Sequence, residues 1–150
     1  MAGVVRQIER RRVSARTCVA AVVCGCGLFL PGCGANDKPQ VRHVVSAYLS
    51  ALAHEDGDRA CAQLSSEAKR DLVAFAARIP KFHPRDCQDV ASRLGRLPAS
   101  KALEHAPLRV SISTDQAAAK IGRSPIAVVL RKAHGRWLID AFAPASSISP

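Results

Sequence analysis

In Leu108-Arg109-Val110-Ser111-Ile112-Ser113 apolar and polar residues alternate with a period of two, the pattern of a half-buried β-strand. Thr114-Asp115 turns the chain into Ala117–Ile121, and Gly122-Arg123-Ser124-Pro125 breaks it again. Ile126–Lys132 is a strand rich in Val and Leu, His134-Gly135 is a hairpin turn, and Arg136–Phe142 is the last strand. Strands joined this closely pair antiparallel, because a parallel pair needs a crossover of a dozen residues or more.

Upstream of this stretch the period is helical. Val41, Val44, Val45, Tyr48, Leu49 and Leu52 fall at i, i+3, i+4, i+7, i+8 and i+11, one face of a helix of about four turns. Gly57 reads as the glycine that closes it, and Asp58 as the cap of a short second helix through Leu64. Ser65-Ser66-Glu67 caps a third helix whose inner face reads as Ala68, Leu72, Phe75, Ala76 and Ile79, and Pro80 stops it. A fourth runs from about Arg85 to Leu94 with Cys87, Val90, Ala91 and Leu94 inward. Three or four helices followed by about four strands predict an α+β fold, with the helices on one face of a curved antiparallel sheet.

The head of the chain is of another kind. Residues 1–16 are basic, and Thr17–Leu30 is an apolar run of fourteen residues. That falls short of the roughly 20 residues a membrane-spanning helix needs and fits the core of a signal peptide; an uncleaved anchor helix is the competing reading. The run ends in Leu28-Phe29-Leu30-Pro31-Gly32-Cys33, which resembles the cleavage box of bacterial lipoproteins, where the cysteine is lipidated and becomes the new N-terminus. Cys26 is an alternative lipidation point with too short an apolar core before it. The expected organisation is a leader over 1–32, a polar tether over 33–39 broken by Gly and Pro, one domain over 40–143 and a tail over 144–150.

The formal charge of +10 is partly the head's, with Arg6, Arg10, Arg11, Arg12 and Arg16 against Glu9. From residue 33 onward 17 Lys/Arg stand against 11 Asp/Glu, scattered rather than in a stripe. With Tyr48, Phe75, Phe82, Trp137 and Phe142 mostly at core-like positions, the chain lacks the basic, aromatic-laced footprint of a nucleic-acid binder. Scattered cations suit a protein held beside an anionic membrane. Past Cys33 only Cys61 and Cys87 remain. In an exported domain such a pair is a disulfide candidate, with two buried thiols as the alternative.

Tyr48-Leu49-Ser50-Ala51-Leu52-Ala53-His54-Glu55-Asp56-Gly57-Asp58 running into a short Ala- and Leu-bearing helix resembles the opening of the nuclear transport factor 2-like superfamily, which includes ketosteroid isomerase and the SnoaL polyketide cyclases. Val128-Val129-Leu130-Arg131-Lys132-Ala133-His134-Gly135-Arg136-Trp137 resembles that fold's last hairpin. Between the two, the chain is similar to small actinobacterial lipoproteins with a comparable cysteine pair. The resemblance spans about residues 40–143 and implies a cone of helices around a curved sheet. A strand usual between the early helices and the third is not evident, so the expected cone is a reduced one. The fold hosts enzymes, ligand pockets and interaction modules alike.

An isomerase site needs a tuned carboxyl and oxyanion donors in an apolar pocket. The resemblance puts Tyr48 on the helix that bears the oxyanion tyrosine, and Asp140 on the last strand. With Trp137 they form the candidate pocket. The simpler reading makes Tyr48 a core residue and Asp140 a solvated or Arg-paired carboxylate on the strand face opposite Trp137, Ile139 and Ala141. His43, His54, His83, His105 and His134 are widely spaced, with no metal-ligand pattern, and no phosphate loop occurs. No catalytic residue, metal or cofactor is assigned. The expectation is an exported protein, lipid-anchored at the outer face of the cell membrane. Its domain binds a small apolar ligand or an envelope protein without catalysis, and a cyclase or isomerase acting on a hydrophobic substrate is the alternative.

Overall fold

A computed structural model describes residues 37–148 of the chain. The expected leader, Cys26, Cys33 and the part of the expected tether up to residue 36 lie outside the described residues. Five helices precede four strands: α1 (Asp37–Ala53), α2 (Gly57–Ala62), α3 (Ser66–Ala77), α4 (Cys87–Gly95) and α5 (Pro98–Glu104), then β1 (Leu108–Ser113), β2 (Gln116–Ile121), β3 (Ile126–Ala133) and β4 (Arg136–Pro144). The strands form one open antiparallel sheet in sequence order. The fold class is α+β, with α1 and α3 packed against the sheet.

Alternation in the strands sets which side the helices cover. Leu108, Val110 and Ile112 pair with Ile121, Ala119 and Ala117 across β1 and β2, and Ala117 and Ala119 pair with Leu130 and Val128 of β3. Leu130 faces Ile139 of β4, and both are fully buried. Each such side chain contributes roughly 1.5–3 kcal/mol relative to exposure. The helices supply Val41, Val45, Leu49 and Leu52 from α1 and Ala68, Leu72 and Ala76 from α3. His134 and Gly135 both take positive φ, 51° and 75°, as a two-residue turn matched to strand twist requires.

Several boundaries differ from those expected. α1 begins at Asp37, so Asp37–Pro39 are helix rather than tether; Pro39 is accommodated because the first N–H groups of a helix have no partner to lose. Gly57 opens α2 instead of closing α1, and the cap is Asp56, which accepts from the Arg59 N–H, not Asp58. Gly57 is needed for close approach: a Cβ there would sit 2.3 Å from the Gln88 carbonyl oxygen of α4. The fifth helix goes beyond the expected three or four because α5 carries no apolar stripe. It is held by Pro98 in its first turn, by Ser100 Oγ donating to the Leu94 carbonyl at 2.6 Å, and by Ser50 Oγ of α1 donating to Glu104 at 2.9 Å.

Phe75 and Ile79 also depart from expectation. They are exposed, at 63% and 40%, while Ala68, Leu72 and Ala76 make a strict four-residue stripe facing inward. α3 packs against β4 and α4, and Phe75 falls at the flank of that contact. In β4 the register shifts between Val129 and Leu130: Leu130 pairs with Ile139 but Val129 with Ala141, leaving Asp140 as the extra residue. The alternation therefore changes side, so that Phe142, and not Ala141, continues the face of Trp137 and Ile139.

Candidate functional site

Three polar groups converge where α1 begins. Lys132 and Trp137 face each other across the β3–β4 pair, and the Lys132 Nζ lies 5.7 Å from the Trp137 ring centroid. Lys132 Nζ donates to Asp37 Oδ1 at 2.8 Å, and Trp137 Nε1 donates to the same oxygen at 3.2 Å. The hydrogen bond from Lys132, then that from Trp137, holds the Asp37 carboxyl below the usual carboxylate range against the opposing effect of burial. An ionised carboxylate thus pins the start of the helix to the last hairpin.

The linkage has a definite sign. Because the folded-state value is depressed, the contribution of Asp37 is complete above the unfolded carboxylate value of about 3.9 and is lost as pH falls through the lower folded value. We expect Asp37→Asn to be less stable than the parent at neutral pH, with the gap closing on acidification below about pH 4. Urea midpoints of both proteins across that range test this. A gap independent of pH assigns the loss to packing.

The three expected pocket residues take separate partners. Trp137 is bound to Asp37 as above. Tyr48 is buried, its ring 5.8 Å from that of Phe142, and burial pushes its hydroxyl well above the ordinary tyrosine value, so it stays neutral. Asp140 alternates away from buried Ile139 and accepts from Arg131 at 2.7 Å, on the sheet face turned from the helices. An acid committed to an arginine there is not aimed at Tyr48.

Cys61 of α2 and Cys87 of α4 are joined by a disulfide, with their Cα atoms 6.2 Å apart. Beside it a groove of about 410 Å³ opens between α3 and the start of α4. Val73, Ala74, Ala77 and Cys87 make its floor, and Lys69, Arg70 and Arg85 stand at its edge with Asp86. Arg85 is also tied to Asp89, which accepts from its backbone N–H at 3.2 Å and from the Arg93 Nε at 3.0 Å. These bonds, the backbone one foremost, hold the Asp89 carboxyl low.

Among the described residues no cluster of three or more His, Cys, Asp or Glu side chains is placed to hold a metal ion. His54 and His105 each lie near Glu104, at 3.7 and 3.9 Å, and make no such cluster. Compared with protein families, curated proteins and solved structures, the chain matches none. Two features escape a reading by periodicity: the role of Asp37, which stands before the first apolar residue, and the exposure of Phe75. An acid two residues ahead of Pro39 is a helix-start signal that bears on the first.

Proposed function

We propose that this chain is an exported envelope protein, anchored by lipid at Cys33 to the outer face of the cell membrane. Its domain is a reduced member of the nuclear transport factor 2-like cone fold that binds without catalysing. The leader pattern supports the address, and helices on one face of an antiparallel sheet agree with the fold. The observation that carries the non-catalytic reading is the commitment of the acids: Asp37 to Lys132 and Trp137, Asp140 to Arg131, with Tyr48 packed on Phe142. A proton-transfer site needs a base free to meet its substrate in an apolar cavity. The binding target is a small apolar ligand or a membrane-protein partner. No helix among the described residues is long and apolar enough to cross a membrane, and in this reading the lipid supplies the attachment.

The anchor is tested directly. The chain taken from its host's membranes in mild detergent should begin at residue 33 by mass and carry the added mass of acyl chains. Cys33→Ser should move the protein out of the membrane fraction, and its persistence there overturns the lipid anchor. Any non-covalent mass retained under gentle ionisation identifies the ligand class.

A further inference from the structure

The place where the chain enters its domain is fixed. α1 begins at Asp37, whose carboxylate accepts from Lys132 Nζ and Trp137 Nε1, so the first turn of the helix lies against the end of the sheet that carries the His134-Gly135 turn. The β1–β2 turn is at that same end, its Asp115 carbonyl accepting from the Lys132 N–H at 2.8 Å. The β2–β3 turn, with Arg123, is at the other end of β3, whose eight residues span roughly 25 Å.

Exposed cations gather at the entry end. Lys38 and Arg42 lie one turn apart at the start of α1, and Arg136 stands at the foot of the hairpin opposite Ala133. All three are exposed, and among the described residues none of them is in an ion pair. Against them stands Asp115 in the neighbouring turn, while Asp37 is already balanced by Lys132.

Cations occur at the far end too, Arg123 among them, so charge alone does not choose between the ends. The length of chain before the domain does, resting here on the lipid anchor read above. Only Gly34-Ala35-Asn36 separate Cys33 from α1. The four steps from Cys33 to Asp37 reach at most about 14 Å, of which a headgroup layer takes roughly 5–7 Å. The remainder is less than the radius of gyration of about 13 Å that a domain of this length has. An anchored domain can therefore stand on its entry end or lie along the surface, but it cannot stand on the far end. The unpaired cations decide for the first, because only that arrangement sets all of them on an anionic leaflet. We propose that the domain stands on the end of the sheet where α1 begins, with Lys38, Arg42 and Arg136 on the phosphates of anionic phospholipids and the β2–β3 turn directed to solvent.

With Cys33 acylated and Cys61 joined to Cys87, a cysteine introduced into the mature chain is its one free thiol. Ala133→Cys at the hairpin and Arg123→Cys at the far turn each receive the same fluorophore, without reductant, on protein purified from its host's membranes. Both are reconstituted into vesicles of equal phosphatidylglycerol and phosphatidylcholine in which some headgroups carry a nitroxide quencher. Quenching at position 133 should exceed that at 123 severalfold. Lys38→Glu/Arg136→Glu, vesicles of phosphatidylcholine alone, and salt at about 0.5 M should each cut that ratio roughly in half or further. Equal quenching at the two positions means that the domain lies along the surface or tumbles on its tether, and overturns the proposal. A ratio left undiminished by salt and by the double variant overturns the contact with phosphates. Intact mass of the same samples reports the anchor separately: acylated protein with equal quenching keeps the anchor and removes this proposal, whereas protein without acyl chains removes both.

Discussion

Cys87→Ala melts roughly 10–15 °C below the parent in oxidising buffer, and addition of reductant removes most of the difference by lowering the parent. The disulfide links positions 26 residues apart. Closing such a loop in the unfolded chain lowers its entropy by an amount worth about 3 kcal/mol, which for a domain of this size corresponds to that shift. The bond clips the short α2, with only Gly57, Ala60 and Cys61 buried, to the start of α4 across the stretch 78–86, which has no regular secondary structure. Without the bond that stretch keeps Phe82 packed on the core, with Arg93 4.8 Å from its ring centroid, and two hydrogen bonds to α4, from the Arg85 N–H to Asp89 and from the Asp89 N–H to Asp86. Thermal melts of parent, Cys61→Ala and Cys87→Ala in both buffers make the test. Variants that lose stability equally with and without reductant, beside a parent that reductant leaves unchanged, assign the effect to packing of the buried sulfurs.

How far the sequence could be read follows from how far each element depends on its own residues. β1 was legible to the residue, because Leu108, Val110 and Ile112 have one face to bury and Arg109, Ser111 and Ser113 have none. The α1 stripe was equally plain, since one long helix crossing a sheet must show its contact line in its own period. α5 was not legible. It is seven residues long with only Ser100 buried, and is held by hydrogen bonds to groups 6 and 54 residues distant in sequence.

The misreading of Phe75 and Ile79 has a related cause. A periodic pattern reports that a helix has apolar residues on a side, not how wide a surface the rest of the protein offers, and α3 buries Ala68, Leu72 and Ala76 while Phe75, at the flank of that line, stays exposed. The shift at Asp140 is invisible for a further reason. It inserts one residue into a strand whose partner decides where the insertion falls, so the reversal of side between Ile139 and Phe142 is a property of the β3–β4 pair and not of either strand. The lysine and tryptophan that bind Asp37 came together for the same kind of reason: they are five residues apart in sequence but directly opposed once the hairpin closes.

That opposed pair is where a single change should cost most. Trp137 is 3% exposed and fills the corner between the start of α1 and the last hairpin, so Trp137→Ala removes a large packed ring and leaves Asp37 with one donor fewer. A loss of about 3–5 kcal/mol is expected, enough to unfold most of a marginally stable domain. Trp137→Phe separates the two effects. Phenylalanine keeps much of the apolar contact but cannot donate, so its cost should be nearer 1–2 kcal/mol, roughly the sum of a hydrogen bond and a small void. The two contributions are then distinguished by coupling. If the indole N–H acts through Asp37, Asp37→Asn should destabilise the Trp137→Phe protein less than it destabilises the parent, and denaturant titrations of the parent, both single variants and the double variant close the cycle. Strict additivity would mean that the indole holds the corner by volume alone. In that case Lys132 would be the group that ties α1 to the hairpin, and Lys132→Met, which retains length without charge, should reproduce the loss of acid sensitivity expected of Asp37→Asn.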